Sequence, residues 1–230
     1  MQSINLLSQT FCKVNKNPYL RKRIAALSSL NDMKILIDNG HGLNTPGKRF
    51  FNDTATTEIY TRQLARRIVA DLQDRGYDAE LLTPEDDDIP LSERVKRVNA
   101  YCKALGNRNV ILVSIHVNAA GNGSKWLNAM GWSVYTCKGQ TASDKLAECM
   151  CEAATKNFPG RRIRTDFSDG DSDWEENFYL LHKSLCVAVL TENFFQDSKS
   201  DLEYLQSRVG KQAVVDTHLE GIIEYLSIPI

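Results

Sequence analysis

Three stretches of this 230-residue chain repeat one arrangement: an apolar run, a small or polar step, then a side chain able to bind a metal or carry a proton. KILIDNGHG (34–42) contains His41, VILVSIHVNA (110–119) contains His116, and CVAVLTENFF (186–195) contains Glu192. Two imidazoles, one carboxylate and an open position suit a catalytic zinc, because borderline-soft Zn²⁺ takes His nitrogen and Glu oxygen and leaves its fourth site to water. The chemistry would be hydrolysis. No serine stands in a G-x-S-x-G elbow, no cysteine has a histidine at suggestive spacing, and no Gly-rich phosphate loop follows an apolar run, which disfavours nucleophilic and phosphoryl-transfer readings.

Such residues need elements to hold them. Short apolar runs alternate with longer segments of helical period from Met33 onward, the pattern of a single α/β domain with a largely parallel twisted sheet flanked by helices on both faces. Strands are predicted at 34–38, 79–82, 110–115, 131–136, 178–181 and 186–191, and helices at about 56–75, 92–105, 142–157 and 200–226. Thr54 or Thr56 could cap the first helix and Ser92 the second, and Gly76 and Gly106 stand where helix-ending glycines belong. His41, His116 and Glu192 then fall just past the carboxyl ends of strands, where open α/β sheets place their ligands. Gly40, Gly42 and Ser114 beside them leave room for another group to approach.

A fourth polar group comes from the first helix. Its stripe Ala65, Ile68, Val69 and Leu72 has the spacing of a buried face, and Glu58, seven residues before Ala65, shares that face. Glu58 either points inward toward the sheet or pairs with Arg62 at i+4 on the surface; periodicity leaves the two balanced. Asn118, two residues past His116, could orient a substrate or shape its own turn.

Composition narrows the class. With 28 Lys and Arg against 29 Asp and Glu, the net charge is −1, so electrostatics makes no case for nucleic acid or an anionic membrane. The six cysteines form no C-x-x-C pair and read as reduced thiols. No stretch reaches the length of a membrane span, and no signal peptide is visible at the start. Residues 1–32 carry five Lys and Arg against one Asp and read as a basic arm of uncertain order ahead of a domain at 33–230. DFSDGDSDWEEN (166–177) is an acidic, glycine-containing loop.

LIDNGHG, the glutamate in TATTEIYTRQLARRI, VSIHVNA and FYLLHKSLCVAVLTENFF, in this order and at these intervals, resemble the zinc-dependent N-acetylmuramoyl-L-alanine amidases, the amidase_3 family of cell-wall hydrolases. The resemblance implies zinc held by His41, Glu58 and His116, Glu192 as the catalytic acid/base, and cleavage between the lactyl group of muramic acid and the first L-alanine of a peptidoglycan stem peptide. The chain departs from the family pattern at Asn39 (usually proline), at Leu43 (usually glycine), in Asn193, Phe194 and Phe195 after the glutamate, and at His182, where arginine is frequent. These changes bear on loop shape and substrate preference. His182 and His218 are expected to be a satisfied structural residue and a surface residue respectively.

The same ligand set would also serve a zinc carboxypeptidase or other peptide amidohydrolase, with Arg161, Arg162 or Arg164 recruited to grip a terminal carboxylate. A non-catalytic peptidoglycan-binding domain is the alternative of another class, and the acid at Glu192 argues against it. The expected partner is peptidoglycan or a muropeptide, taken by a monomer that is made in the cytoplasm and acts on the wall, as a phage-type lytic enzyme does.

Overall fold

A computed structural model describes residues 33–42, 45 and 57–228; the predicted arm 1–32 and the candidate caps Thr54 and Thr56 lie outside them. In chain order the elements are β1 (Lys34–Asn39), α1 (Thr57–Asp74), β2 (Asp78–Leu81), α2 (Leu91–Leu105), β3 (Val110–Asn118), β4 (Ser133–Thr136), α3 (Ser143–Asn157), β5 (Trp174–Glu175), α4 (Tyr179–Lys183), β6 (Val187–Phe195), α5 (Lys199–Gln206) and α6 (Arg208–Ser227). The six strands form one sheet in the order β2-β1-β3-β6-β4-β5. All neighbours pair in parallel except β4 with β6.

The pleat sends successive side chains to opposite faces, and both faces are covered. Ile35, Ile37, Ile111, Val113, Ile115 and Val189 pack against α1, α3 and α6. The alternate residues Leu36, Leu112, Ala188 and Leu190 meet Val98 and Cys102 of α2 and Leu180 and Leu181 of α4. Burial on two sides explains why these strands read as continuous apolar runs, and each fully buried Ile or Leu contributes about 1.5–3 kcal/mol. The stripe Ala65, Ile68, Val69 and Leu72 is buried as its spacing requires.

Four local expectations change. The run at 178–181 is not a strand: α4 closes there through His182 N–H donating to the Phe178 carbonyl and Ser184 N–H to that of Leu180, and the fifth strand is Trp174–Glu175. A four-residue apolar run fits one helical turn as well as a strand. The helix expected over 200–226 breaks at Ser207, whose hydroxyl accepts from Gly210 N–H at 2.9 Å and starts α6 afresh. Ser92 caps nothing, since α2 already begins at Leu91 behind Pro90, whose carbonyl accepts from Glu93 and Arg94. Finally, β3 and β6 run on to Asn118 and Phe195, so His116 and Glu192 lie within the last turns of the ladder, not beyond it. Gly76 and Gly106 do end α1 and α2, with φ of 85° and 94°. Among the described residues no helix is long and apolar enough to cross a membrane.

Candidate active site

Parallel pairing of β1 with β3 and of β3 with β6 brings the three strand-end residues together. His116 and Glu192 are register partners on adjacent strands. Gly40 N–H donates to the Ile115 carbonyl at 2.9 Å, holding the chain after β1 against β3. His41 follows with φ 68°, a left-handed conformation that is strained for a non-glycine residue and is kept only where surrounding structure imposes it. The imposing contacts are close by. Gly42 lies against the Asp88 backbone with no room for a Cβ, its N–H donates to Thr45 Oγ1 at 2.9 Å, and Thr45 Oγ1 donates to Asp88 Oδ2 at 2.6 Å. As a result the His41 and His116 rings stand 5.0 Å apart between centroids and nearly perpendicular, at 82°. A Cβ on Gly40 would lie 2.5 Å from Cε1 and Nδ1 of His116, so glycine there is what lets the imidazole occupy its place.

A buried chain of hydrogen bonds orients His116. Asp38 is fully buried, forms an ion pair with Arg94 at 2.7 Å, and accepts from Ser114 Oγ at 2.6 Å. Ser114 Oγ has one proton, and the carboxylate takes it, so the 3.0 Å contact between Ser114 Oγ and His116 Nε2 must be a donation from the ring. Nε2 therefore carries the hydrogen and Nδ1 the lone pair, the arrangement by which an outer carboxylate sets the tautomer of a metal-binding histidine. Arg94 also donates to the Asn39 carbonyl at 2.9 Å and to Asp88 Oδ1 at 3.0 Å, joining β1 to the loop that carries Asp88.

Asn193 braces the other side. Its Nδ2 donates to the His116 carbonyl at 2.9 Å and to Thr191 Oγ1 at 3.1 Å, while its Oδ1 accepts from Trp132 Nε1 at 3.0 Å. Beyond it lies His218, which is not a surface residue: it is fully buried on α6, with Nδ1 donating to the Val214 carbonyl at 2.7 Å and Nε2 2.9 Å from Thr191 Oγ1. Burial pushes its pKa down to about 4, so the ring is neutral. His182, expected to be a satisfied structural histidine, is exposed on α4.

The imidazoles and Glu192 line a cleft of about 400 Å³ together with Asp38, Asp88 and Arg94 and with apolar residues that include Ile89, Leu91 and Phe178. A few convergent polar groups in an otherwise apolar cleft are the usual make-up of a small-molecule or peptide site. Asn118 is not part of the lining; its Oδ1 accepts from Ala119 N–H at 2.8 Å and shapes its own turn. The side chain of Glu58 lies outside the described residues. Its backbone is in the first turn of α1, one turn before Thr61, whose hydroxyl donates to the Gly40 carbonyl at 3.3 Å.

Asp38, Ser114, Arg94 and Asn193 escaped the reading of the sequence as site residues. A charged residue inside an apolar strand is a signal at Asp38, because a buried carboxylate requires a partner. Ser114 shares a strand face with His116 by the period of two. Arg94, 56 residues from Asp38, has no local signal of its role.

An open, mostly parallel α/β sheet with two imidazoles and a carboxylate gathered over a cleft is an α/β fold with a candidate catalytic centre. The family model described as "N-acetylmuramoyl-L-alanine amidase", Amidase_3, matches residues 35–224, and the chain belongs to that family. It is 25% identical over 190 residues to the sporulation-specific N-acetylmuramoyl-L-alanine amidase of Bacillus subtilis strain 168, covering 83% of this chain and 67% of that protein. It is 23% identical over 199 residues to the endolysin of Bacillus phage SPP1, covering 84% and 66% respectively. The chain spans between 60% and 67% of the length of the curated relatives it matches. In fold it is similar to an N-acetylmuramoyl-L-alanine amidase from Clostridium difficile 630, with a TM-score of 0.71 at 22% identity over 85% of this chain and 97% of the other. AmiC2 of Nostoc punctiforme gives the same TM-score, 0.71, at 23% identity over 86% and 98%.

Proposed function

We propose that this protein is a zinc-dependent N-acetylmuramoyl-L-alanine amidase that hydrolyses the amide bond between the lactyl group of N-acetylmuramic acid and L-alanine in peptidoglycan. The observation that carries the reading is the perpendicular pair His41 and His116, 5.0 Å apart, beside Glu192 at the head of a cleft in a chain of the Amidase_3 family. The residues fit the metal: a donor set of imidazoles with carboxylate suits zinc, a glycine clears the space for one ring, and a buried carboxylate fixes that ring's tautomer.

His41 and His116 would hold the zinc together with Glu58, whose helix is tied to the loop before His41 through Thr61 and Gly40. When bound, zinc supplies Lewis acidity, polarising the amide carbonyl and acidifying the attacking water. Glu192 would accept a proton from the attacking water and deliver it to the departing alanine nitrogen. Asp38 and Ser114 keep His116 in one tautomer, and Asn193 fixes the strand behind it. The apolar wall at Ile89, Leu91 and Phe178 accepts the uncharged face of the muropeptide and excludes water. The protein would act on the wall after synthesis in the cytoplasm, as a monomer.

Carboxypeptidase action finds less support. Arg161 lies over the Tyr204 ring, Arg164 over Trp174 and Phe195, and none of Arg161, Arg162 and Arg164 lines the cleft. Digestion of purified peptidoglycan with and without chelator, followed by mass spectrometry, tests the proposal. Release of intact stem peptides from glycan, abolished by chelator and restored by zinc, is the expected result; shortened stems would indicate a carboxypeptidase, and retention without products a binding domain.

A further inference from the structure

The acidic loop of 166–177 is not part of the cleft, and two of its carboxylates meet a third from α3. One carboxylate oxygen from each of Asp144, Asp171 and Asp173 lies within 4.8 Å of the others. Asp144 stands in the first turn of α3 with its oxygens accepting from the backbone and hydroxyl of Thr141 at 2.6 and 2.8 Å. Asp171 Oδ2 accepts from Gln140 Nε2 at 3.0 Å, and Asp173 Oδ2 from Thr136 Oγ1 at 2.5 Å. That leaves Asp171 Oδ1 and Asp173 Oδ1, both shielded from solvent and neither accepting a hydrogen bond. Asp173 is only 2% exposed. Among the described residues no Lys, Arg or His forms an ion pair with any of the three.

Carboxylates crowded this closely, with buried oxygens that lack a donor, are unfavourable unless a cation or a proton sits among them. We propose that Asp144, Asp171 and Asp173 form a second metal site, separate from the candidate zinc centre, that takes a hard divalent cation, calcium. Three features favour a cation of this kind. All the donors are oxygens, with no imidazole or thiolate among the three to select zinc. Two ligand oxygens on opposite sides of a calcium ion stand about 5 Å apart, given metal–oxygen distances of 2.3–2.6 Å, so the observed cluster is of the right size. The alternate carboxylates of Asp169-Gly170-Asp171-Ser172-Asp173 also repeat the D-x-D-x-D spacing with which calcium loops present oxygens.

The site would have a structural role. The loop leads through β5 to Phe178 on the cleft wall, so an ion there braces the segment that positions that wall. The site stands on its own chemistry and does not depend on the amidase reading.

The test is calorimetric titration of the whole 230-residue chain with CaCl₂ and, separately, MgCl₂, together with thermal melting in each. We expect one calcium per chain and a melting temperature several degrees higher, with a much smaller response to magnesium, which demands a stricter octahedral shell. The double variant Asp171→Asn, Asp173→Asn should lose the calcium heat and the thermal response while still melting cooperatively. Absence of saturable calcium binding by the unaltered protein up to about 10 mM, beyond the weakest usual calcium modules, would overturn the proposal in favour of a proton shared between Asp171 and Asp173. Calcium binding undiminished in the double variant would overturn the assignment to these residues.

Discussion

His116 and Glu192 are register partners on the parallel strands β3 and β6, so the side chain proposed to hold metal and the one proposed to move a proton are fixed to each other by main-chain hydrogen bonds. This rigidity separates their roles by experiment. Changing Glu192→Gln keeps the shape and one acceptor oxygen but removes the base, so zinc content and melting temperature should stay near the parent values while hydrolysis falls at least about 10²-fold. Raising the pH should not restore the rate. An active, zinc-loaded Gln variant would end the assignment of Glu192 as general base.

Ser114→Ala removes the hydroxyl that links Asp38 to His116 Nε2. Without it the ring loses the acceptor that sets its tautomer, and zinc affinity should drop by about 10–100-fold. Competition with a chromophoric chelator reads this directly. Unchanged affinity in a folded variant would show that the buried chain of hydrogen bonds only supports the strand.

Gly40→Ala should displace the His116 imidazole, because the added carbon would lie 2.5 Å from two ring atoms. We expect loss of stoichiometric zinc in a protein that still melts cooperatively. Gly76→Ala is the control: its φ of 85° makes alanine strained there too, but nothing lies within 4 Å of the new carbon. That variant should lose about 1 kcal/mol of stability and retain its metal. Equal zinc loading in the two would remove the steric argument.

Acid should destabilise the fold through His218. Its folded-state pKa is lowered from 6.5 to about 4 by burial, so the unfolded chain binds a proton that the folded chain refuses. Stability from this residue is complete above about pH 6.5 and is lost as the pH falls toward 4, reaching about 3 kcal/mol at the acid limit. Asp173 and Asp201, whose pKa values are raised, act in the opposite direction. The measurement is therefore a difference: denaturant unfolding of the parent and of His218→Gln at pH 7 and pH 4.5, with the parent losing more between the two. Parallel losses would contradict a neutral buried imidazole.

Much of the fold was legible because two-sided burial writes continuous apolar runs, and Ile35–Ile37 and Val110–Ile115 could hardly be anything but central strands. The positions of His41, His116 and Glu192 followed from those runs. What escaped notice depended on long-range partners. Leu180 and Leu181 read as a short strand, and it is packing against α2 that makes them a helical turn, while His218 read as surface because its partners, the Thr191 hydroxyl and the Val214 carbonyl, carry no periodic signal. The burial of Arg94 against Asp38 is decided by tertiary structure alone.

The sheet draws its active edge from pieces far apart in the chain: 76 residues separate Asp38 from Ser114, and 77 separate His116 from Asn193. A ribosome releasing this polypeptide would expose both imidazoles long before β6 and its glutamate emerged. The proposed acid would then be the last part of the proposed site to arrive, and pairing of β6 with β3 would bring it beside His116.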